Sequence, residues 1–189
     1  MRRSLVVVLG ILAHMALPGR ASATTVLALT VEEMAAGSDR VVRARVVSQS
    51  IEVDESESWI YRLTTLEVLE DISGEGPSRV VVRQLGGADE WGGMFVEGDA
   101  VFEPGEEVVV FLRANGGREP VVHLEGFGLG KFSVERLNRG PVMLRRSLEG
   151  MTFVRPDGLE VRLEARLELE ALRERVRRGV STTNPETNE

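Results

Sequence analysis

The chain has 189 residues, with 23 basic and 30 acidic side chains, a formal net charge of −7 and no cysteine. An acidic surface repels phosphate backbones and anionic lipid headgroups, so the composition argues against nucleic-acid binding and peripheral membrane binding. Without cysteine there are no disulfides, no thiolate zinc ligands and no thiol to take a lipid anchor.

The amino terminus has the three parts of a secretory signal peptide. Two arginines precede an apolar run from Leu5 to Leu17, and the cleavage motif Ala21-Ser22-Ala23 follows. The apolar run is shorter than the roughly 20 residues that span a bilayer, so a retained membrane anchor is the weaker interpretation. The paired arginines leave the twin-arginine route as an alternative to general secretion. We expect residues 1–23 to be removed and the protein to be periplasmic or secreted, beginning at Thr24.

The predicted mature chain is more acidic than the whole sequence. Removal of the signal peptide takes away three arginines and no acidic residue, which leaves 20 basic against 30 acidic side chains and a net charge of −10. Among the basic residues Lys131 is the one lysine. The remaining length suits a single domain with its own core, since ordinary domains have about 100 to 200 residues.

A short helix is predicted at the start of the mature chain. Thr30 and Glu33 have the spacing of a capping box, in which each side chain accepts a hydrogen bond from the backbone amide of the other residue. Gly37 is suited to ending the helix, because glycine readily adopts the left-handed conformation found after many helices. The pattern predicts a helix over Val31 to Ala36.

Short apolar runs separated by turn residues indicate a mainly β domain after this helix. In the first run, valine and alanine alternate with arginine, as in a strand with one buried face. The runs Val80 to Val82 and Val108 to Leu112 are continuously apolar, which is typical of strands covered on both faces, so we expect them at the centre of the fold. The predicted strands cover about Arg40 to Ile51, Trp59 to Asp71, Val80 to Val82, Val108 to Leu112, Val121 to Leu124, Lys131 to Leu137 and Val142 to Leu148.

Turn residues connect these strands. A polar hairpin connection is expected at residues 54–58, a hairpin turn at Asn115-Gly116-Gly117, and a last hairpin at Pro156-Asp157-Gly158. The glycines before Lys131 suggest a phosphate-binding loop, but the first glycine of that motif is replaced by Glu125. We expect a bulge or sharp bend there instead.

The carboxyl-terminal segment has a helical pattern. Leu169, Leu172 and Val176 fall on one face among charged residues, which predicts an amphipathic helix of about three turns that ends at Gly179. Packing against the β domain is favoured over a free partner-binding face, and residues 180–189 are expected to form a disordered tail. The elements together predict one domain over residues 24–179, an OB-like antiparallel β barrel with a short N-terminal helix and an amphipathic C-terminal helix.

Several short motifs carry a resemblance to a known group of proteins. The order Gly86-Gly87, Phe102 with Gly105-Glu106, Val110-Phe111-Leu112 and Gly130-Lys131-Phe132 resembles a group of uncharacterised exported bacterial domains over residues 30–135. More remotely, the layout is similar to the OB-type barrels of netrin-like modules and tissue inhibitors of metalloproteinases. Those inhibitors chelate zinc through an amino-terminal cysteine, and no cysteine exists here, so that mechanism is not carried over.

The inventory of reactive side chains argues against most enzymatic sites. His14 lies in the predicted signal peptide, which leaves His123 as the one histidine of the mature chain. One histidine supplies neither an ordinary catalytic triad nor an ordinary zinc site, so we expect His123 to be a hydrogen-bonded strand residue, and we expect no metal and no cofactor.

Carboxylates are the remaining catalytic possibility. They cluster around the longest irregular stretch, and a pair at the right separation would serve a small carboxylate-dependent hydrolase. Calcium binding by the acidic loops is a second alternative, although no twelve-residue calcium loop is present. The carboxylates concerned are Asp89, Glu90, Glu97, Asp99, Glu103, Glu106 and Glu107.

The candidate binding residues lie mainly in the same stretch, residues 86–104. Trp91, Met94 and Phe95 stand there among glycines, and Lys131 is added from the following strands. One interpretation is that the aromatic residues plug one end of the barrel; the other is that Trp91 stays partly exposed and anchors a partner. The sequence therefore predicts an exported, non-catalytic binding or inhibitor-like module for an extracytoplasmic protein, with the carboxylate hydrolase as its rival.

Overall fold

The computed structural model describes residues 24–54, 59–88, 93–114, 121–136 and 139–183. The predicted signal peptide, most of the 54–58 connection, the Asn115 turn, Trp91 and the tail from residue 184 lie outside these ranges. The strands are β1 (Thr24–Leu27), β2 (Arg40–Asp54), β3 (Trp59–Ser73), β4 (Arg79–Leu85), β5 (Gly87–Ala88), β6 (Gly93–Met94), β7 (Glu107–Ala114), β8 (Val121–Leu124), β9 (Lys131–Glu135), β10 (Met143–Arg145), β11 (Met151–Val154) and β12 (Arg166–Glu168). The helices are α1 (Val31–Gly37) and α2 (Leu169–Thr183), and a 3₁₀ turn covers Phe127–Gly130.

One large sheet dominates the fold, which confirms the prediction of a mainly β domain. Its eight strands follow the order β12-β10-β9-β7-β2-β3-β4-β8. Neighbours are antiparallel except β4 and β8, which are parallel. β8 also pairs antiparallel with β7, so it has a hydrogen-bonded partner on each side.

The long hairpin of β2 and β3 is irregular along its length. The pairing runs from Val41 opposite Ser73 to Asp54 opposite Trp59, with register shifts at three places in β2. Each shift adds a residue to one strand, which increases local twist and bends the strand. The bends allow β2 to pair with β3 along its whole length while its first half also pairs with β7.

β7 is covered on both faces, as its continuous apolar run predicts. Val109 and Phe111 belong to a core cluster that includes residues of α1 and α2, whereas Val108, Val110 and Leu112 belong to a second cluster with residues of β2, β3 and β4. All five residues are buried. Because side chains alternate across a strand, β7 separates the two clusters and contributes to each.

The two helices pack against each other and against the first cluster. The predicted capping box of α1 is present, with Glu33 N–H donating to Thr30 Oγ1 and Thr30 N–H donating to Glu33 Oε2. Leu169, Leu172 and Val176 of α2 are buried, so the predicted apolar stripe does face the core. Glu32 joins the helices, since it accepts hydrogen bonds from Arg175 and Arg178.

Both predicted helix ends differ from the structure. Gly37 is the last residue of α1, and the residue after it has an extended backbone. Gly179 lies inside α2, buried against α1, and the helix continues to Thr183 through residues expected to be in the tail. A glycine there removes the Cβ that would separate the helices, so packing rather than chain termination explains its position.

The strand predictions also missed pairings near the two ends of the chain. β1 was not predicted, and it pairs in parallel with β11. The hairpin expected around Pro156-Asp157-Gly158 does not form, because β11 pairs with β1 and β12 pairs with β10. Within residues 86–104, predicted to be irregular, β5 and β6 form a small two-stranded sheet.

Candidate binding groove

A groove of about 530 Å³ runs between the loop before β7, strand β9 and the segment leading into β11. Its volume is within the range of ordinary ligand sites. We call it the acidic groove, because six carboxylates and two cationic side chains line it together with apolar residues. Its lining residues include Phe95, Glu97, Asp99, Val101, Glu103, Glu106, Lys131, Ser133, Glu135, Arg145, Glu149 and Met151.

Close backbone contacts hold one wall of the groove in place. A Cβ on Gly128 would lie 2.0 Å from the carbonyl oxygen of Gly98. The 3₁₀ turn and the loop therefore lie so close together that only glycine fits at position 128. On the other side, Thr24 Oγ1 donates to the carbonyl of Glu97 at 2.6 Å. The loop that carries Phe95 is therefore attached to both β1 and the 3₁₀ turn.

Lys131 is the centre of a polar cluster on the groove wall. Its ammonium group donates to Glu106 Oε1 at 2.6 Å and to Ser133 Oγ at 2.9 Å, and the Ser133 hydroxyl donates to the same Glu106 oxygen at 2.6 Å. The ammonium also lies 5.6 Å from the centre of the buried Phe102 ring, within the range of a cation–π contact. Lys131 and Ser133 reach Glu106 because β9 pairs with β7.

The position of Glu106 is fixed by a tight turn. Glu106 N–H donates to the carbonyl of Glu103 at 3.0 Å, and Glu103 N–H donates to Glu106 Oε2 at 3.2 Å. Pro104 and Gly105 occupy the two central positions, and the positive φ of Gly105, 84°, suits the third position of a type II turn. Both oxygens of the Glu106 carboxylate are thus engaged within the protein.

Asp99 is the groove carboxylate with the most altered chemistry. Burial raises the pKa of Asp99 above the ordinary value for aspartate, although hydrogen bonds from the Gln84 side chain and the Ala100 amide and the charge of Arg62 act in the opposite direction. The Gln84 side chain is buried beneath it, with Nε2 donating to the Ala100 carbonyl at 2.8 Å. Gln84 Oε1 is buried and has no hydrogen-bond partner among the described residues.

The charges of the groove are unequally neutralised. Lys131 pairs with Glu106, and Arg145 pairs with Glu135 at 2.9 Å. The other three glutamates that line the groove form no ion pair with any cation in the described part of the chain; they are Glu97, Glu103 and Glu149. The groove therefore keeps a surplus of negative charge.

The sequence-predicted binding residues occupy different places. Phe95 and Lys131 both line the acidic groove, although they are distant in sequence. Phe95 is 75% exposed and Val101 60% exposed, so the expected burial of Phe95 as a plug is wrong. Met94 is half-buried and borders a much smaller cavity beside Gly86, and Trp91 lies outside the described residues.

Several groove residues had no signal in the sequence. Ser133 and Arg145 look like ordinary polar positions of strands, and Met151 lies outside the strands predicted from the sequence. Of the seven carboxylates that cluster in the sequence, four line the groove, and Glu107 pairs elsewhere with Arg43 and Arg136. Asp89 and Glu90 lie outside the described residues. The acidic cluster in the sequence therefore indicated part of the groove lining, but the sequence did not indicate the strand pairing that brings these residues together.

His123 has the environment predicted for it. It lies in β8, and its Nδ1 is 3.1 Å from the carbonyl oxygen of Arg83.

Among the described residues, no group of three or more histidines, aspartates or glutamates is arranged to hold a metal ion. None of the helices in the described ranges is long and apolar enough to cross a membrane. The chain matches no family model and no curated protein.

Proposed function

We propose that the protein is an exported, non-catalytic binding module that holds a segment of a partner protein in the acidic groove. The single observation that carries this proposal is the exposure of Phe95 at the groove. Large aromatic side chains gain about 1.5 to 3 kcal/mol from burial, so an aromatic ring left in solvent beside a concave surface is a candidate anchor.

We further propose that β2, β3, β4, β7 and β8 form an OB-type barrel that carries the groove. The pairing supports it, because the three-stranded meander β2-β3-β4 is followed by β7 against β2, and β8 lies between β4 and β7. OB folds are five-stranded Greek-key barrels that use their surface loops for recognition. The resemblance to netrin-like modules implies the same arrangement, with the loop of Phe95 placed between two barrel strands.

A hydrolase that uses the groove is the rival hypothesis. A carboxylate-dependent hydrolase needs a carboxylate that is free to exchange a proton with the substrate. Both oxygens of Glu106 are engaged within the protein, by Lys131, Ser133 and the Glu103 amide. The contact from Ser133 to Glu106 is also one that a nucleophile and its base would make, so Glu106→Gln is the variant that separates the two hypotheses.

The test is partner capture by Phe95→Ala. The chain from Thr24 onward is immobilised and exposed to the extracytoplasmic fraction of its own cells, and captured proteins are identified and titrated. We expect Phe95→Ala to weaken capture of the partner by about 1 to 3 kcal/mol, or roughly five- to 150-fold. Because the ring is exposed, the melting temperature should change by less than about 2 °C.

Leu159→Ala is the matched control. Leu159 is an exposed apolar residue, 64% accessible, that does not line the groove, so its truncation should leave capture unchanged. If the wild type and Phe95→Ala captured the partner equally well, the acidic groove would not be the binding site. Turnover of a substrate that stops on Glu106→Gln would favour the hydrolase.

A further inference from the structure

The surplus charge of the acidic groove restricts what it can hold. Glu97, Glu103 and Glu149 have no cationic partner in the described structure, and the two cations of the groove are already paired with Glu106 and Glu135. A partner that brings carboxylates or phosphates would meet uncompensated like charge, whereas one that brings ammonium or guanidinium groups would be attracted.

Gln84 adds no donor to the groove. It contacts the groove residue Ala100, but it is only 6% exposed and does not line the groove. Its Nε2 donates to the Ala100 carbonyl, and its buried Oε1 has no donor among the described residues. The groove therefore gains no group there that would pair with an anionic ligand.

The groove is also apolar in part. Phe95 and Val101 are exposed on the loop that borders it, and Met151 and Val134 also line it. A small polyamine satisfies carboxylates but has no side chain that covers an aromatic ring. An extended peptide can do both, because alternate side chains point in opposite directions.

We propose that the groove binds an extended, arginine- or lysine-rich segment of a partner protein, with an apolar side chain placed against Phe95 and Val101. The inference rests on the proposed binding function and specifies its ligand. The basic side chains pair with Glu97, Glu103 and Glu149, and the apolar side chain covers the exposed ring.

A displayed library of random nonapeptides, selected on the immobilised chain from Thr24 onward, tests this inference and does not require the partner to be identified. We expect enrichment of peptides that contain more arginine and lysine than aspartate and glutamate and at least one large apolar residue. Their affinity should fall about tenfold in Glu97→Gln/Glu149→Gln and at least fivefold when salt rises from about 0.05 to 0.5 M, because the Debye length shrinks from roughly 13 to 4 Å.

Glu160→Gln/Glu174→Gln is the control, since it removes two exposed carboxylates that do not line the groove. Peptides should bind this variant as they bind the wild type, and melting curves of both double variants show that they are folded. The inference would be overturned if the selection enriched neutral or acidic peptides, or no peptides at all. It would also be overturned if both double variants lost the same affinity for the peptides, or if spermine at the same concentration displaced them. If Phe95→Ala still reduces partner capture while Glu97→Gln/Glu149→Gln does not, the binding function stands and the charge inference fails.

Discussion

Gly179→Ala distinguishes the packing seen in the structure from the local rule for helices. Gly179 lies within α2, where alanine is the better helix former by about 1 kcal/mol. Helix propensity alone therefore predicts that the substitution raises the free energy of unfolding. The structure predicts the opposite, because α2 contacts α1 at this residue.

The size of the effect follows from the contact distances. A Cβ at position 179 would lie 2.3 Å from the carbonyl oxygen of Glu32 and 3.0 Å from the Cβ of Ala35. The first distance is about 1 Å too short, and its partner is backbone, so the helices must separate. Overpacking of this kind costs about 1 to 3 kcal/mol. Separation would also stretch the hydrogen bonds from Arg175 and Arg178 to Glu32, 2.8 and 2.9 Å long.

The overpacking cost less the gain of about 1 kcal/mol in helix propensity leaves about 0 to 2 kcal/mol. The stretched hydrogen bonds to Glu32 add to this loss, so we expect a net loss of about 1 to 2 kcal/mol, which lowers the melting temperature by roughly 2 to 8 °C for a domain of this size. Thermal unfolding followed by circular dichroism, together with urea titration, measures it. Val180→Ala is the matched control, because the adjacent side chain is exposed and its truncation should change stability by less than about 0.5 kcal/mol. A higher melting temperature for Gly179→Ala would refute the helix contact.

Two further predictions concern charged side chains of the scaffold. Partial burial would raise the pKa of Glu32, but hydrogen bonds from the two arginines of α2 outweigh it and lower the pKa from 4.5 to about 2. The carboxylate thus stabilises the fold fully above pH 4.5 and progressively less towards pH 2, so Glu32→Gln should lower the melting temperature by a few degrees at pH 7 and by less as the pH falls below 4.5. Arg40 is 7% exposed and donates to Asp71 and two backbone carbonyls; we expect Arg40→Ala to cost about 2 to 4 kcal/mol in urea unfolding, and the exposed Arg45→Ala less than about 0.5. Equal costs for the two arginine variants would contradict the buried role of Arg40.

Local patterns predicted the parts of the fold that local chemistry determines. The capping box at Thr30 and Glu33 fixes the start of α1 by hydrogen bonds within four residues. The run Val108 to Leu112 indicates a strand covered on both faces because all five of its residues are apolar, and all five are buried in the structure. Pairings between distant segments left no such signal: β1 and β11 are four residues each, and their parallel pairing depends on where the rest of the chain places them.

The groove was predictable to the same limited extent. Residue types pointed to Phe95, to the acids near it and to the single lysine, because aromatic and charged side chains in a glycine-rich loop are typical of binding sites. The sequence did not indicate that Lys131 and Ser133 would meet Glu106, since that contact requires β9 to lie beside β7 in one particular register. Shifting that register by one residue would turn Lys131 and Ser133 to the other face of the sheet.

Net charge becomes informative once the ion pairs are located. Arginines between the helices and the C-terminal segment are matched by acids, as in Arg155 with Glu33 and Arg175 with Glu32 and Glu164. Arginines of the scaffold are thus already engaged by its own acids and are not available to neutralise the groove. Part of the chain's surplus of acid lies where three glutamates face a groove beside exposed apolar side chains. The composition therefore does more than argue against anionic partners: combined with the structure, it favours a cationic one at a particular place.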